Sequence, residues 1–160
     1  PTSTQLLKLI LKSLPKNIKI KRKGTYLAIE GPQFSTYAES ILYKNWNCDI
    51  IGMTNMPEAR LAREAEMAYV SIAMVTDYDC WHRKHDAVTV DQVIKIMHKN
   101  TNNVKKLLLS MLENLDKIKK WDWNDKIYTC LNEAIITAKD SISIKTLKKL
   151  KPVLKRRFSL

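Results

Sequence analysis

Glycine is scarce in this chain. The 160 residues hold three, Gly24, Gly31 and Gly52, and they do not cluster. A glycine-rich loop of the kind that cradles phosphate is therefore not encoded here. Cysteine is equally sparse. Cys48, Cys80 and Cys130 are odd in number, widely spaced and free of any CxxC pair, which excludes a disulfide scaffold and fits free thiols in a reducing cytoplasm. No run of eighteen apolar residues occurs, so no membrane-spanning helix is expected. The opening stretch PTSTQLLKLILKSLPKN has no initiator Met, no basic n-region and no small-residue cleavage site. It is not expected to be a signal peptide, and the missing Met points to processing or to a fragment.

What is present is positive charge, +12 overall, but unevenly spread. Residues 1–23 carry seven basic and no acidic side chains; residues 24–81 carry three basic and eight acidic; residues 82–160 carry eighteen basic and eight acidic. The excess thus lies on the polar faces of expected helices. A nucleic-acid footprint would want clustered Arg with interleaved aromatics, so a solvated Lys-rich surface is the reading adopted. Such a surface still attracts small anions such as phosphate.

Strand-like and helix-like patterns alternate, which argues α/β. Residues 3–14 read as a helix, with Thr2 and Gln5 as a capping box. Ile18–Lys21, Thr25–Ile29, Asp49–Met53 and Tyr69–Thr76 read as strands, the last apolar enough for a sheet covered on both faces. Between them Thr36–Trp46 reads as a helix with Tyr37, Ile41 and Leu42 inward. Asn55 is expected to cap a second helix that runs to Met67, with Pro57 in its first turn. Thr89 and Gln92 make another capping box before a long helix that the Asn100–Asn103 stretch is expected to bend. Trp121-Asp122-Trp123-Asn124 connects to a helix over Asp125–Thr137. A last helix starts near Ser143, interrupted or kinked at Pro152.

Three polar turns follow three of the apolar runs: Glu30–Thr36, Met53–Glu58 and Thr76–Trp81. Ligands of α/β sheets gather at the C-terminal strand ends, so these turns are candidates to line one cleft. The pair His82 and His85 has HxxH spacing but no third ligand nearby, and no metal site is expected. Cys80 lacks a His-based activation pattern and is not expected to be a nucleophile.

Three motifs in these turns, EGPQFSTYAES at Glu30–Ser40, IGMTNMPEARLAREAE at Ile51–Glu66 and AMVTDYDCWH at Ala73–His82, resemble in order and spacing those of the 5'-methylthioadenosine phosphorylases of the purine nucleoside phosphorylase superfamily. AVTVDQV and CLNEAIIT resemble segments of bacterial and archaeal members. The resemblance implies part of a mixed central β-sheet flanked by helices, a nucleoside phosphorylase fold lacking its N-terminal strands. Residues 1–160 would be the C-terminal part of a single such domain. It implies phosphorolysis of methylthioadenosine to adenine and 5-methylthioribose 1-phosphate, with phosphate as co-substrate and no cofactor.

By the same resemblance Asp77 is the proton donor at purine N7, and it would need a pKa raised by burial for that task. Asp79 meets the adenine amino edge; Phe34 packs on the purine ring; Ser35 lies near the amino edge. Met53 contacts the ribose, Thr54 binds phosphate, and Val90 shapes the pocket for the 5'-methylthio group. Asp rather than Asn at the third turn favours aminopurines. A homotrimer with sites near subunit contacts is implied, and neither membrane nor nucleic acid is a partner. The family's glycine-rich phosphate strand and a later Arg-His pair have no counterpart, so the chain alone is expected to be weakly active or inactive and to expose sheet edges. Residue chemistry alone leaves other readings in play. Phe34, Met53 and Val90 are also core candidates, Ser35 a helix cap, Thr54 and Asp77 turn residues, and Asp79 an exposed loop aspartate. A phosphorylase of different specificity, a noncatalytic purine-nucleoside binder and a nucleic-acid module are the alternatives.

Overall fold

Two parallel strands need a crossover, and the chain supplies a helix for it. In the computed structural model, which describes residues 2–82, 90–118, 121–123 and 125–160, strand β1 (Tyr26–Ala28) leads through helix α2 (Tyr37–Asn45) to strand β2 (Ile50–Gly52). The strands pair in register Tyr26↔Ile50, Leu27↔Ile51 and Ala28↔Gly52. The ladder continues where the Ile29 N–H donates to Gly52 O at 2.9 Å. At Gly52 a side chain would run into the Tyr26 hydroxyl, so glycine leaves room for that ring across the ladder. The β-branched and aromatic residues of both runs suit a pleated, half-buried surface.

The chain forms two compact units. The first comprises Pro1–Leu7, Pro57–Val70 and Lys120–Leu160, the second Lys8–Met56 and Ser71–Lys119. The second holds β1, α2, β2, the long helix α4 (Val90–Leu115) and the C-terminal part of helix α1 (Thr4–Ser13), with Leu9, Ile10 and Leu107 buried. The buried Ser13 hydroxyl there accepts from Asn114 Nδ2 at 3.0 Å. The first unit holds most of helix α3 (Asn55–Glu64), a 3-10 turn at Lys126–Thr129, a single turn α5 (Leu131–Ala134) and the last helix α6 (Ile144–Phe158) around Ile127, Leu131, Leu154 and Phe158. Among the described residues no helix is long and apolar enough to cross a membrane.

Several elements depart from the sequence expectation. The sheet has two strands. Tyr69–Thr76 pairs with no strand among the described residues. Ladder formation needs a neighbour, and here the backbone finds other partners: Ser3 N–H donates to Tyr69 O at 2.8 Å in the first unit, and Asn100 Nδ2 donates to Val75 O at 2.9 Å in the second. Its apolar Ile72, Met74 and Val75 are exposed rather than sandwiched. Ile18–Lys21 is likewise unpaired, with Lys21 held instead by an ion pair to Asp49.

The helix starts also shift. Ser3, fully buried, caps α1 in place of Thr2 by accepting from Leu6 N–H at 3.2 Å. Gln5 is not part of a box; its amide bonds both backbone groups of Asp122 at 2.9 Å. Asn55 does not cap α3, since Met56 is extended (φ −119°, ψ 129°) and the helical turns begin after it. Asn55 accepts instead from the Ser71 hydroxyl. On α2 the buried position is Ser40, while Tyr37 and Leu42 are exposed.

Further along the chain, α4 runs unbroken through Asn100–Asn103, and α6 runs through Pro152. The expected helix over Asp125–Thr137 is a 3-10 turn capped by Asp125 followed by a single α-turn. The run Ile127-Tyr128-Thr129 has low helix propensity. The roles expected of Thr89, His85 and Asn124 lie outside the described residues.

Among the described residues three helices end in the left-handed conformation with a residue other than glycine. Asn47 (φ 56°), Glu66 (φ 54°) and Ser159 (φ 52°) take the left-handed conformation at the ends of α2, α3 and α6. At α2, Asn47 N–H donates to Lys44 O and Cys48 N–H to Tyr43 O. At α3, Glu66 N–H donates to Arg63 O and Met67 N–H to Ala62 O. These are the paired bonds of a Schellman end, which glycine would favour. Glu66 is held there by its side chain, only 9% exposed, which accepts from both Arg156 nitrogens and from Leu131 N–H at 3.1 Å.

Candidate active site

Parallel pairing puts the C-terminal ends of β1 and β2 at one edge of the sheet, so the turns that follow them start side by side. Gly31, at φ +62°, lies against the Met53 side chain; a Cβ on Gly31 would stand 2.7 Å from Met53 Sδ. The first and second turns therefore touch. The first turn then enters α2 through a capping box. The Thr36 hydroxyl accepts from Glu39 N–H at 3.3 Å, and the Thr36 N–H donates to Glu39 Oε2 at 2.7 Å. The backbone bond from Thr36, then its hydroxyl bond, hold the Glu39 carboxyl below its ordinary value.

The third turn is tied to the same helix. Ser40, 1% exposed, donates its hydroxyl to Asp79 Oδ2 at 2.7 Å. The other Asp79 oxygen accepts the Cys80 N–H at 2.9 Å. The Cys80 thiol reaches the Ser35 carbonyl at 3.6 Å. Asp77 accepts from the Thr76 hydroxyl at 2.6 Å and is exposed, not buried as the expected proton donor would need to be. Beyond it Tyr78 stacks on His82 with ring centroids 4.6 Å apart, and Lys44 Nζ of α2 lies 3.8 Å from the Trp81 ring centre. On the far side of β1, Asp49 accepts from Lys21 Nζ and from Thr25 N–H, bonds that hold its carboxyl below the ordinary value.

The first turn lines a shallow pocket of about 190 Å³ with Glu30, Gly31, Phe34, Ser35, Glu39 and Tyr43. Phe34 is 86% exposed there, so among the described residues it is not a core residue. Ser35 is not the helix cap; Thr36 is. Met53 is half-buried against Gly31 and Thr54 is exposed beside it. Val90, 73% exposed at the start of α4, stands outside this network of ties. The structure thus gathers Phe34, Ser35, Met53, Thr54 and Asp79 through three adjoining turns, with Asp77 two residues from the tied Asp79. Among the described residues no three His, Cys, Asp or Glu side chains gather as a metal site would require.

Sequence reasoning missed Ser40 and Glu39. Glu39 was legible as the fourth position of Thr-x-x-Glu. Ser40 had one signal, a small polar residue within the core-facing register of an otherwise amphipathic helix.

The chemistry of these turns has close parallels. The sequence profile of the phosphorylase superfamily matches residues 1–113. An S-methyl-5'-thioadenosine phosphorylase of Koribacter versatilis is 45% identical over 99% of this chain and 53% of its own length. That of Rhodospirillum rubrum is 52% identical over 75% of this chain and 40% of its own. A crystal structure of methylthioadenosine phosphorylase from an antarctic soil metagenomic library superposes with a TM-score of 0.74 at 42% identity, covering 82% of this chain and 45% of that one. The Schistosoma mansoni methylthioadenosine phosphorylase in complex with adenine gives a TM-score of 0.70 at 29% identity, covering 89% of this chain and 55% of that one. The chain spans about half the length of the relatives it matches. With a profile match over more than half its residues and motifs seated on three adjoining turns, the chain belongs to the phosphorylase superfamily.

Proposed function

We propose that this chain carries the purine side of an S-methyl-5'-thioadenosine phosphorylase. The observation that supports the reading most is the joining of three polar turns, two at the C-terminal ends of the parallel strands and the third tied to them through Ser40 and Ser35, with Phe34 exposed, in a chain 45% identical to a phosphorylase of that name. Phosphate oxygen attacks the anomeric carbon of methylthioadenosine and forms the C–O bond as the bond to purine N9 breaks. The departing electron pair is taken up by the base, and the transition state gains oxocarbenium character, as in other glycosyl transfers.

Asp77 is the group assigned to donate a proton to purine N7 as charge develops there, a role that requires a burial it does not have in these 160 residues. Assistance of this kind supplies roughly 10²–10⁴ in rate. Phe34 packs on the purine face. Ser35 and Asp79 meet the amino edge, Met53 the ribose, Thr54 phosphate, and Val90 the 5'-methylthio group. Phosphate is a co-substrate and no cofactor takes part. The resemblance adds a homotrimer, and three free cysteines favour a cytoplasmic setting. Because the chain spans about half of its relatives, turnover by these 160 residues alone is expected to be weak or absent.

The test is release of adenine from methylthioadenosine by the longest product of the native gene, with and without phosphate. Phosphate-dependent release supports the reading. Purine binding without release would assign a noncatalytic nucleoside binder instead.

A further inference from the structure

The buried hydroxyl of Ser40 belongs to no motif role assigned above. It sits on α2 at 1% exposure, where a polar group left unpaired would be costly. Its partner is Asp79 Oδ2 at 2.7 Å. Asp79 Oδ1 is engaged as well, by the Cys80 N–H at 2.9 Å, and the Cys80 thiol reaches back to Ser35 O at 3.6 Å. A free aspartate on a loop would sample several rotamers. This one is clamped from both oxygens, and the clamp ends on the two residues, Ser35 and Asp79, that border the amino edge of the base in the proposal above.

We infer that Ser40 is a positioning residue that fixes the Asp79 carboxylate and, through it, sets discrimination between aminopurines and 6-oxopurines. The inference rests on the purine-site reading. A carboxylate oxygen has two lone pairs, so each Asp79 oxygen keeps one acceptor site after its bond within the chain. Held still, that site accepts from an exocyclic amino group and meets a 6-oxo group lone pair to lone pair. Freed to rotate, it can turn away from the oxo group, and the penalty against the wrong base falls. Sites built around one hydrogen-bonding edge discriminate strongly because the wrong ligand leaves a group unpaired. Asp77 is tied differently: its carboxylate accepts from the hydroxyl of Thr76, its immediate neighbour, and stays exposed. The two carboxylates of the third turn are thus held differently, Asp79 from both oxygens and Asp77 by its neighbour alone.

The experiment compares wild type with Ser40→Ala, Ser40→Thr and Asp79→Ala in the longest product of the native gene. Amide exchange at Cys80 and alkylation of the Cys80 thiol relative to Cys48 report the clamp without any ligand. NMR titrations with adenine and with hypoxanthine report discrimination. Losing a hydrogen bond to a charged group corresponds to about tenfold or more. Ser40→Ala is expected to speed Cys80 exchange about tenfold and to cut the adenine-over-hypoxanthine preference about tenfold. Ser40→Thr, which keeps a hydroxyl, retains more of both than Ser40→Ala, and Asp79→Ala reproduces the exchange change while leaving the buried Ser40 hydroxyl without its partner. Cys80 exchange within twofold of wild type in both Ser40→Ala and Asp79→Ala overturns the clamp. Faster exchange with an unchanged base preference overturns the specificity role. A wild-type chain that binds neither base overturns the purine-site reading, and the specificity role with it, whatever Cys80 does.

Discussion

Replacing Gly31 by alanine tests how the first two turns are joined. Two costs arise. The left-handed φ of +62° penalises an L side chain by about 1–2 kcal/mol. The new Cβ would also stand 2.7 Å from Met53 Sδ, about 1 Å inside an ordinary contact. Met53 has three rotatable bonds and yields more readily than a branched side chain, so overpacking adds about 1 kcal/mol, the low end of its usual range. The sum is about 2–3 kcal/mol, or about 5–10 °C in Tm for a chain of this size. The two parts separate in a double-mutant cycle. With Met53 already cut to alanine, Gly31→Ala should cost only the backbone part, about 1–2 kcal/mol. Urea unfolding followed by circular dichroism gives the four free energies. A Gly31→Ala cost that is the same in both backgrounds refutes the contact between the turns. So does a cost below about 0.5 kcal/mol, the size of an ordinary surface change.

Other perturbations follow from the same structure. Arg156→Met removes the bidentate partner of Glu66 and should destabilise the chain by about 2 kcal/mol at neutral pH, a value kept low because Arg156 is 42% exposed. Burial alone would raise the Glu66 carboxyl above its ordinary value of 4.5, but the bonds from Arg156 and Leu131 outweigh it and hold it below. The stabilisation is therefore complete above about pH 5 and fades as pH falls through the depressed folded value; the gap between wild type and Arg156→Met should close over that acid window in urea titrations. Asn47→Gly and Glu66→Gly place glycine at equivalent left-handed helix ends and should act oppositely. The first should stabilise by about 0.5 kcal/mol, while the second should destabilise because it deletes the carboxylate clamp, both read from urea midpoints. Asp77→Asn in the longest gene product should lower kcat for adenine release by roughly 10²–10⁴ with a smaller change in KM.

Much of the local structure was legible because it rests on side chains close in sequence. Thr36 and Glu39 announce the start of α2, the Leu and Ile spacing fixes α1, and the β-branched runs give β1 and β2. What escaped depends on neighbours distant in sequence. Tyr69–Thr76 has strand composition, but composition cannot supply a ladder partner, and its carbonyls bond Ser3 and Asn100 instead. Gln5 has the right place for a capping box, yet Asp122 claims its amide. Glu66 ends α3 against its own backbone preference because Arg156, ninety residues on, holds its side chain. At the site the turns were visible as polar breaks after apolar runs. The Ser40–Asp79 tie was not, because nothing in either local segment names the other.

The central claim is that the joined turns serve phosphorolysis of a methylthio-adenine nucleoside. Its most direct test is the rate of adenine release from methylthioadenosine by the longest gene product, measured with and without inorganic phosphate. Release is expected to require phosphate and to yield 5-methylthioribose 1-phosphate. Release that is indifferent to phosphate, or none from a folded and intact protein, contradicts it.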